Sequence, residues 1–242
     1  MDGLPRGFAP SGRSGAGETA VKMTERAYRA LRKSIIDLKI GPGEQLDIDE
    51  IGQSFGFSRA PVVEALNMLR AEGLVTSRRR VGTFAAPISR RRIVEAFEAR
   101  EMLEYWTIPT VIDNVSNRQL DELEGLVGEG GELLDVQSEG DFDYGRFMEL
   151  DHAFHIGIVR LADREMLLKW FNDLTAHMQR VRNIFVGDAL VRSREGQVEH
   201  GAILSAMRAR DVEKAREALR LHTRSSFANA MRILSSRADD LE

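Results

Sequence analysis

Four residues in the second half of the chain have the types and spacing of a metal site. Asp151 and His155 stand four apart in LDHAFHIGIVRLA, so on a helix they share one face. Phe147, Leu150, Phe154, Ile158 and Leu161 form the apolar stripe of that helix, which sets both polar residues beside the core. A buried carboxylate is costly unless it is paired or bound to a cation. Two such residues alone fit a simple Asp–His hydrogen bond inside a core. The end of the chain adds two more. His200 lies 11 residues before Asp211, and His222 lies 11 after it. If Asp211 caps the second of two antiparallel helices, a rise of 1.5 Å per residue brings both histidines to one level, roughly 16 Å from the turn. His200 adjoins Ile203, Leu204 and Met207, and His222 continues the row Ala215, Ala218 and Leu219, so both face inward. Three imidazoles and a carboxylate converging in a core can hold a divalent ion such as Zn, Ni, Mn or Fe. His152 and His177 lack such spacing, and His152 is expected at the surface, pointing away from Asp151.

The elements that must position these residues are helical. From Ser89 onward there is no convincing period-2 strand, and Pro109 is the only proline. Apolar periodicity predicts helices near 90–113, 117–137, 141–162, 165–186, 190–209 and 212–235, with breaks at Val115-Ser116, Gly140-Asp141, Ala162-Asp163, Gly187-Asp188 and Arg210-Asp211. The expected architecture is an all-α bundle of six or seven helices.

The first half reads differently. Thr24 to Ile40 predicts a helix with the stripe Ala27, Leu31, Ile35 and Leu38, ended by Gly41-Pro42-Gly43. Asp47 is a natural N-cap with Glu50 three residues on. Ile48, Ile51 and Phe55 line that short helix, Gly56 stops it, and Ser58 caps the next. There Val62, Leu66 and Leu69 form the buried stripe, while Arg59, Val63, Asn67 and Arg70 look outward. LVTSRRRVGTFAAP then alternates on both sides of Arg78 to Gly82, predicting a two-stranded wing with Arg78, Arg79 and Arg80 at its tip. Two helices joined by a tight turn, the second polar outside, suit a DNA major groove. A plain helical hairpin is the other reading of the geometry alone.

Charge supports an assignment of different partners to the halves. Residues 1–88 hold 13 Lys/Arg against 10 Asp/Glu, and the rest hold 21 against 28, so a head of +3 joins a body of −7. The chain of 242 residues has room for two domains, with 30% charged and 43% hydrophobic residues as in soluble globular proteins. It has no cysteine and no apolar run near membrane-spanning length. The first 20 residues have no apolar core and read as a disordered leader rather than a secretory signal. The expected divisions are a leader at 1–20, a DNA-binding domain at 21–88 and a helical domain at 89–242. A cytoplasmic location is expected.

GPGEQL, a capped helix, FSRAPVVEALNMLRAEGLV and a basic wing ending VGTFAAP, in that order, resemble the winged helix-turn-helix of GntR-type transcriptional regulators. The histidine and aspartate spacings above, with EAREMLE at 98–104, resemble the FCD subfamily. The resemblance implies that Asp151, His155, His200 and His222 are metal ligands. It implies that Arg100 meets the carboxylate of a small organic-acid effector; an arginine paired with Glu104 on the helix surface is the alternative. Ser58, Arg59, Asn67, Arg78, Arg79, Arg80 and Gly82 are the expected DNA-binding residues. Relatives often carry arginine where Val63 and Asp49 stand, so two common DNA contacts are missing; Asn67 could read an adenine instead. The expected protein is a homodimeric, ligand-responsive repressor of double-stranded operator DNA, with no catalytic residues and no membrane partner. A metal-dependent enzyme fused to a DNA-binding head, or a regulator with a purely structural metal, are the alternatives.

Overall fold

The computed structural model describes residues 15–184 and 189–236, with the side chains of 15–20 outside that description. The chain forms two compact units: the segment up to Ile35 with Gly43–Ala86, and Ile36–Pro42 with the chain from Pro87 onward.

In the first unit α1 spans Gly15–Ile36. Ala27, Leu31 and Ile35 are fully buried, as their spacing predicts. The helix begins at Gly15, inside the stretch read as a leader, while residues 1–14 lie outside the described residues. It also ends before Ile40, because Leu38 turns left-handed (φ 57°) two residues past its end. Helix α2 (Ile48–Phe55) is capped by Asp47, whose carboxylate accepts from the backbone N–H of Asp49 and Glu50. Gly56 at φ 71° ends it, a conformation glycine adopts without a Cβ clash. Phe55 departs from the expected buried stripe. It is the last residue of a two-turn helix, is 38% exposed, and stacks on Phe57 at 6.5 Å.

Helix α3 (Arg59–Ala71) buries Val62, Ala65, Leu66 and Leu69 and exposes Arg59, Val63, Asn67 and Arg70. Ser58 stands at its N-cap in extended conformation, but its hydroxyl makes no capping hydrogen bond. Strands β1 (Val75–Arg78) and β2 (Gly82–Ala85) pair antiparallel, with Arg78 opposite Gly82. The segment before α2 lies along β2, with Leu46 N–H donating to Thr83 and Ala85 N–H donating to Glu44.

The second unit contains, among the described residues, six longer helices: α4 (Arg90–Asn114), α5 (Asn117–Leu133), α6 (Tyr144–Arg160), α7 (Glu165–Ile184), α8 (Ala189–Arg208) and α9 (Val212–Ser236). Helix α9 packs on α4, α7 and α8, while α5 packs on α6 and α8. Ile108, Phe154, Ile158, Ile203, Met207 and Leu219 meet in the main core. Helix α5 is shorter, and α6 starts later, than predicted. A 3-10 turn at Glu139–Asp141 intervenes, and Asp143 caps α6 through the Arg146 N–H. The expected break at Gly187-Asp188 lies outside the described residues.

Pro109 sits inside α4 without ending it. Lacking an N–H, it leaves the carbonyl of Tyr105 without its helical donor. Arg216 on α9 supplies one, its Nε donating to that carbonyl at 3.3 Å while its guanidinium lies 4.2 Å from the Tyr105 ring centre. Gly157 brings α6 against α5, because a Cβ there would stand 2.7 Å from Leu123. No helix among the described residues is long and apolar enough to cross a membrane.

Candidate metal centre and nucleic-acid interface

The turn between α8 and α9 falls where the spacing requires it. Arg210 adopts φ 57°, and Asp211 accepts from the Lys214 N–H at 3.0 Å. The two helices run back alongside each other, and the rings of His200 and His222 lie 4.7 Å apart between centroids. Helix α6 adds Asp151 and His155 one turn apart. Each of Asp151, His155, His200 and His222 offers one donor atom, and these atoms all lie within 4.8 Å of one another. Ligands about 2.0–2.2 Å from a common ion stand no more than about 4.4 Å apart, so the cluster would close around one with shifts of a few tenths of an ångström.

The hydrogen bonding around the imidazoles suits that use. His222 Nδ1 lies 2.9 Å from Glu199 Oε2, which places its proton on that nitrogen. Its buried Nε2 has no hydrogen-bond partner, leaving a lone pair for a cation in the carboxylate–histidine arrangement common around metals. His155 Nε2 and His200 Nε2 approach to 3.2 Å, and His200 Nε2 lies 3.5 Å from Asp151 Oδ1. His155 Nδ1 lies 3.2 Å from Glu104 Oε1 without the angle of a hydrogen bond.

Burial holds all three imidazoles below their ordinary range, His200 to about 3 and His222 to about 4. Around His222 the Glu199 carboxylate opposes this shift without cancelling it. Burial raises Asp151, but Arg182 and the three histidines together outweigh it and leave the carboxyl well below its usual value. Neutral imidazoles and an ionised carboxylate are the forms that bind metal.

Three arginines surround the cluster, each on a carboxylate. Arg182 donates to Asp151 at 2.7 Å, and Arg192 donates to Glu199 at 2.7 Å and to Ser226 at 3.2 Å. Arg100 donates from both Nε and Nη2 to Glu104, each at 3.2 Å, and Thr223 donates to Glu104 at 3.2 Å. Arg100 is therefore the partner of Glu104, yet it is only 2% exposed rather than on the helix surface. It lines a small cavity with Asp151, His155 and Arg182.

His152 also lines that cavity and is half-buried, contrary to the expected surface position. Residue 152 directly follows Asp151, so at about 100° per residue it still borders the α6–α7 side. His177 is buried too. Arg182, Arg192 and Glu199 were not legible as site residues. For Arg182 the one available signal is its place four residues after the buried Met178.

In the first unit the expected DNA-binding residues are exposed, apart from the half-buried Gly82, but several engage other side chains. Arg59 Nη1 donates to Asp49 at 2.6 Å. Arg70 donates to Asn67 Oδ1 at 2.7 Å and to Ser77 at 3.1 Å. An asparagine reads adenine with both amide atoms, so Asn67 must give up Arg70 to do so. Arg78 lies over Phe84 at 5.0 Å, while Arg79 and Arg80 are exposed in the turn, Arg80 at φ 63°. Gly82 has φ 149°, and a Cβ there would meet the Gln45 amide at 3.0 Å.

Comparisons with known proteins agree with this organisation. Residues 23–85 match the model described as bacterial regulatory proteins, gntR family, and residues 95–225 match the FCD domain. An uncharacterized HTH-type transcriptional regulator in an unstable DNA locus of Streptomyces ambofaciens is 31% identical over 206 residues, covering 85% of this chain and 84% of that one. The HTH-type transcriptional repressor RspR of Escherichia coli is 25% identical over 222 residues, 90% of this chain and 92% of that one. Among solved structures, E. coli McbR/YncC superposes with a TM-score of 0.75 at 19% identity, covering 87% of this chain and 97% of that one, which is a likeness of fold. The chain thus belongs to the GntR family of bacterial regulatory proteins, with an FCD domain as its second unit: it is a DNA-binding transcriptional regulator.

Proposed function

We propose that the second unit holds a divalent metal on Asp151, His155, His200 and His222, and that a small carboxylate effector bound there controls operator binding by a homodimer. The observation that carries this reading is the mutual approach of four donor atoms within 4.8 Å, with His222 Nε2 buried and unpartnered among them. An ion with four protein ligands keeps positions for water or for an anion that displaces it. Arg100 and Arg182 line a small cavity with Asp151 and His155, and a planar guanidinium can donate two parallel hydrogen bonds to a carboxylate. Two of Arg100's donors are already on Glu104, so only the remaining edge of that guanidinium serves an effector. Arg59, Asn67, Arg79 and Arg80 are the proposed DNA contacts, with Ser58 and Gly82 shaping the backbone and Arg78 bracing the wing. The name of the similar Escherichia coli protein, a repressor, supports repression over activation, and a DNA-binding regulator is expected in the cytoplasm. An effector controls the operator only if it binds the two arrangements of the dimer with different affinity.

The test is calorimetry of a hydroxy acid against zinc-loaded and chelator-treated protein, with metal content measured in both. Binding confined to the loaded protein supports the reading. Equal affinity in both would make any metal structural and place the effector elsewhere.

A further inference from the structure

A second, larger cleft opens on the His222 side of the cluster. Asp151 and His222 line it, together with Arg182, Arg192, Ser226 and Arg232. Two of the four cluster residues and three guanidiniums therefore border one space. Helix α9 contributes His222 and Ser226, one turn apart on one face, and Arg232 from the edge of that face further along. Helix α8 contributes Arg192, and its guanidinium is fixed in place by Glu199 and the buried Ser226.

The charges decide what such a cleft takes. Arg182 with Asp151, Arg100 with Glu104 and Arg192 with Glu199 each cancel. Imidazoles that ligate a metal are neutral. A divalent ion in the cluster would then leave two positive charges uncompensated in a largely buried site. Uncompensated buried charge is unfavourable, and one carboxylate matches only half of it. The further guanidiniums along the cleft are those of Arg192 and Arg232, and Arg100 is not among its lining. Resting on the metal-and-carboxylate reading above, we infer that the effector is a dianion: one carboxylate meets the metal, and a second anionic group extends along this cleft to Arg192 and Arg232.

The experiment compares L-malate with L-lactate by calorimetry on the intact, zinc-loaded chain. Both are 2-hydroxy acids, and malate adds the second carboxylate. Malate should bind at least about 10-fold more tightly, the gain of one charge-assisted anion contact. Arg232→Gln should hold zinc as before, leave lactate affinity unchanged and remove most of the malate advantage. If that variant loses zinc, Ser226→Ala probes the same cleft and should also narrow the ratio. Equal affinities for the two acids, or a ratio unmoved by these variants, would overturn the dianion inference while leaving the metal-and-carboxylate reading intact. Failure of both acids to bind zinc-loaded protein would overturn that reading and this inference with it.

Discussion

Asp49 and Arg59 hold each other across the turn of the helix-turn-helix, 2.6 Å apart. The pair is well exposed, so it contributes on the order of 0–1 kcal/mol to stability. Its effect belongs to DNA binding instead. Asp49→Asn should leave the melting temperature unchanged but raise affinity for random duplex, because a repulsive charge is removed and Arg59 is released. The slope of log affinity against log salt should steepen by about one if Arg59 then neutralises a phosphate. Fluorescence anisotropy over a salt series measures this, and an unchanged slope would place Arg59 away from the backbone. Arg59→Ala should lower operator affinity by about 1–3 kcal/mol.

Arg100 calls for a different expectation at the same scale. Its removal strands the buried Glu104 carboxylate beside His155. Breaking a buried pair on one side costs about 3–5 kcal/mol. Arg100→Ala should therefore lower the melting temperature even without effector. A variant as stable as the parent would mean that solvent reaches Glu104.

At the scale of elements, the wing and the α8–α9 hairpin each do one thing. The wing presents Arg79 and Arg80 from its turn, while Arg78 covers Phe84 beside the strand pair. Replacing Arg79 and Arg80 together by alanine should weaken binding to all duplexes. The salt slope should fall by about two, since each neutralised phosphate contributes roughly 0.9 to it. Arg78→Ala should instead loosen the wing, seen as faster amide exchange in β1 and β2. A salt slope unaffected by the double variant would show that the wing does not touch phosphates. In the hairpin, Asp211 fixes where α9 starts, and with it the level at which His222 faces His200. Loss of a cap of this type costs about 1 kcal/mol. Asp211→Ala should show that cost, together with weaker metal retention, because a frayed start to α9 relaxes the register of the two rings.

The whole molecule should respond to pH through its buried histidines. Burial holds His200 at about 3 and His222 at about 4 in the folded chain, against about 6.5 when unfolded. Between those values the unfolded chain takes up protons that the folded chain refuses, so stability falls as pH drops below about 6.5 and continues to fall toward about 4. In chelator, the melting temperature at pH 5 should lie below that at pH 7.5. Metal should be released over the same interval, since protonated imidazoles cannot ligate. A flat profile would mean that the imidazoles are not buried. Light scattering of the intact chain should report two copies, because readers of paired half-sites mirror operator symmetry; a monomer at micromolar concentration would exclude the proposed dimer.

The helices and the register of the four metal-binding candidates follow from the chain alone. Helical periodicity is local, so the stripe on α6 and the equal spacing of His200 and His222 about Asp211 determine which side chains share a level before any tertiary contact forms. The exposed face of α3 follows for the same reason, its buried face being Val62, Ala65, Leu66 and Leu69. Tertiary structure decided what surrounds these groups. Arg182 on α7, Glu199 on α8 and Glu104 on α4 reach the cluster from three helices. No spacing within one helix reveals which face of another it meets. The same holds for His152, which packing draws to a cavity wall. Phe55 departs because the end of α2 is set by the turn at Gly56 that follows it and not by the stripe that precedes it. Pairings between side chains far apart in the chain, such as Arg216 on the carbonyl that Pro109 leaves open, exist only once the helices are packed.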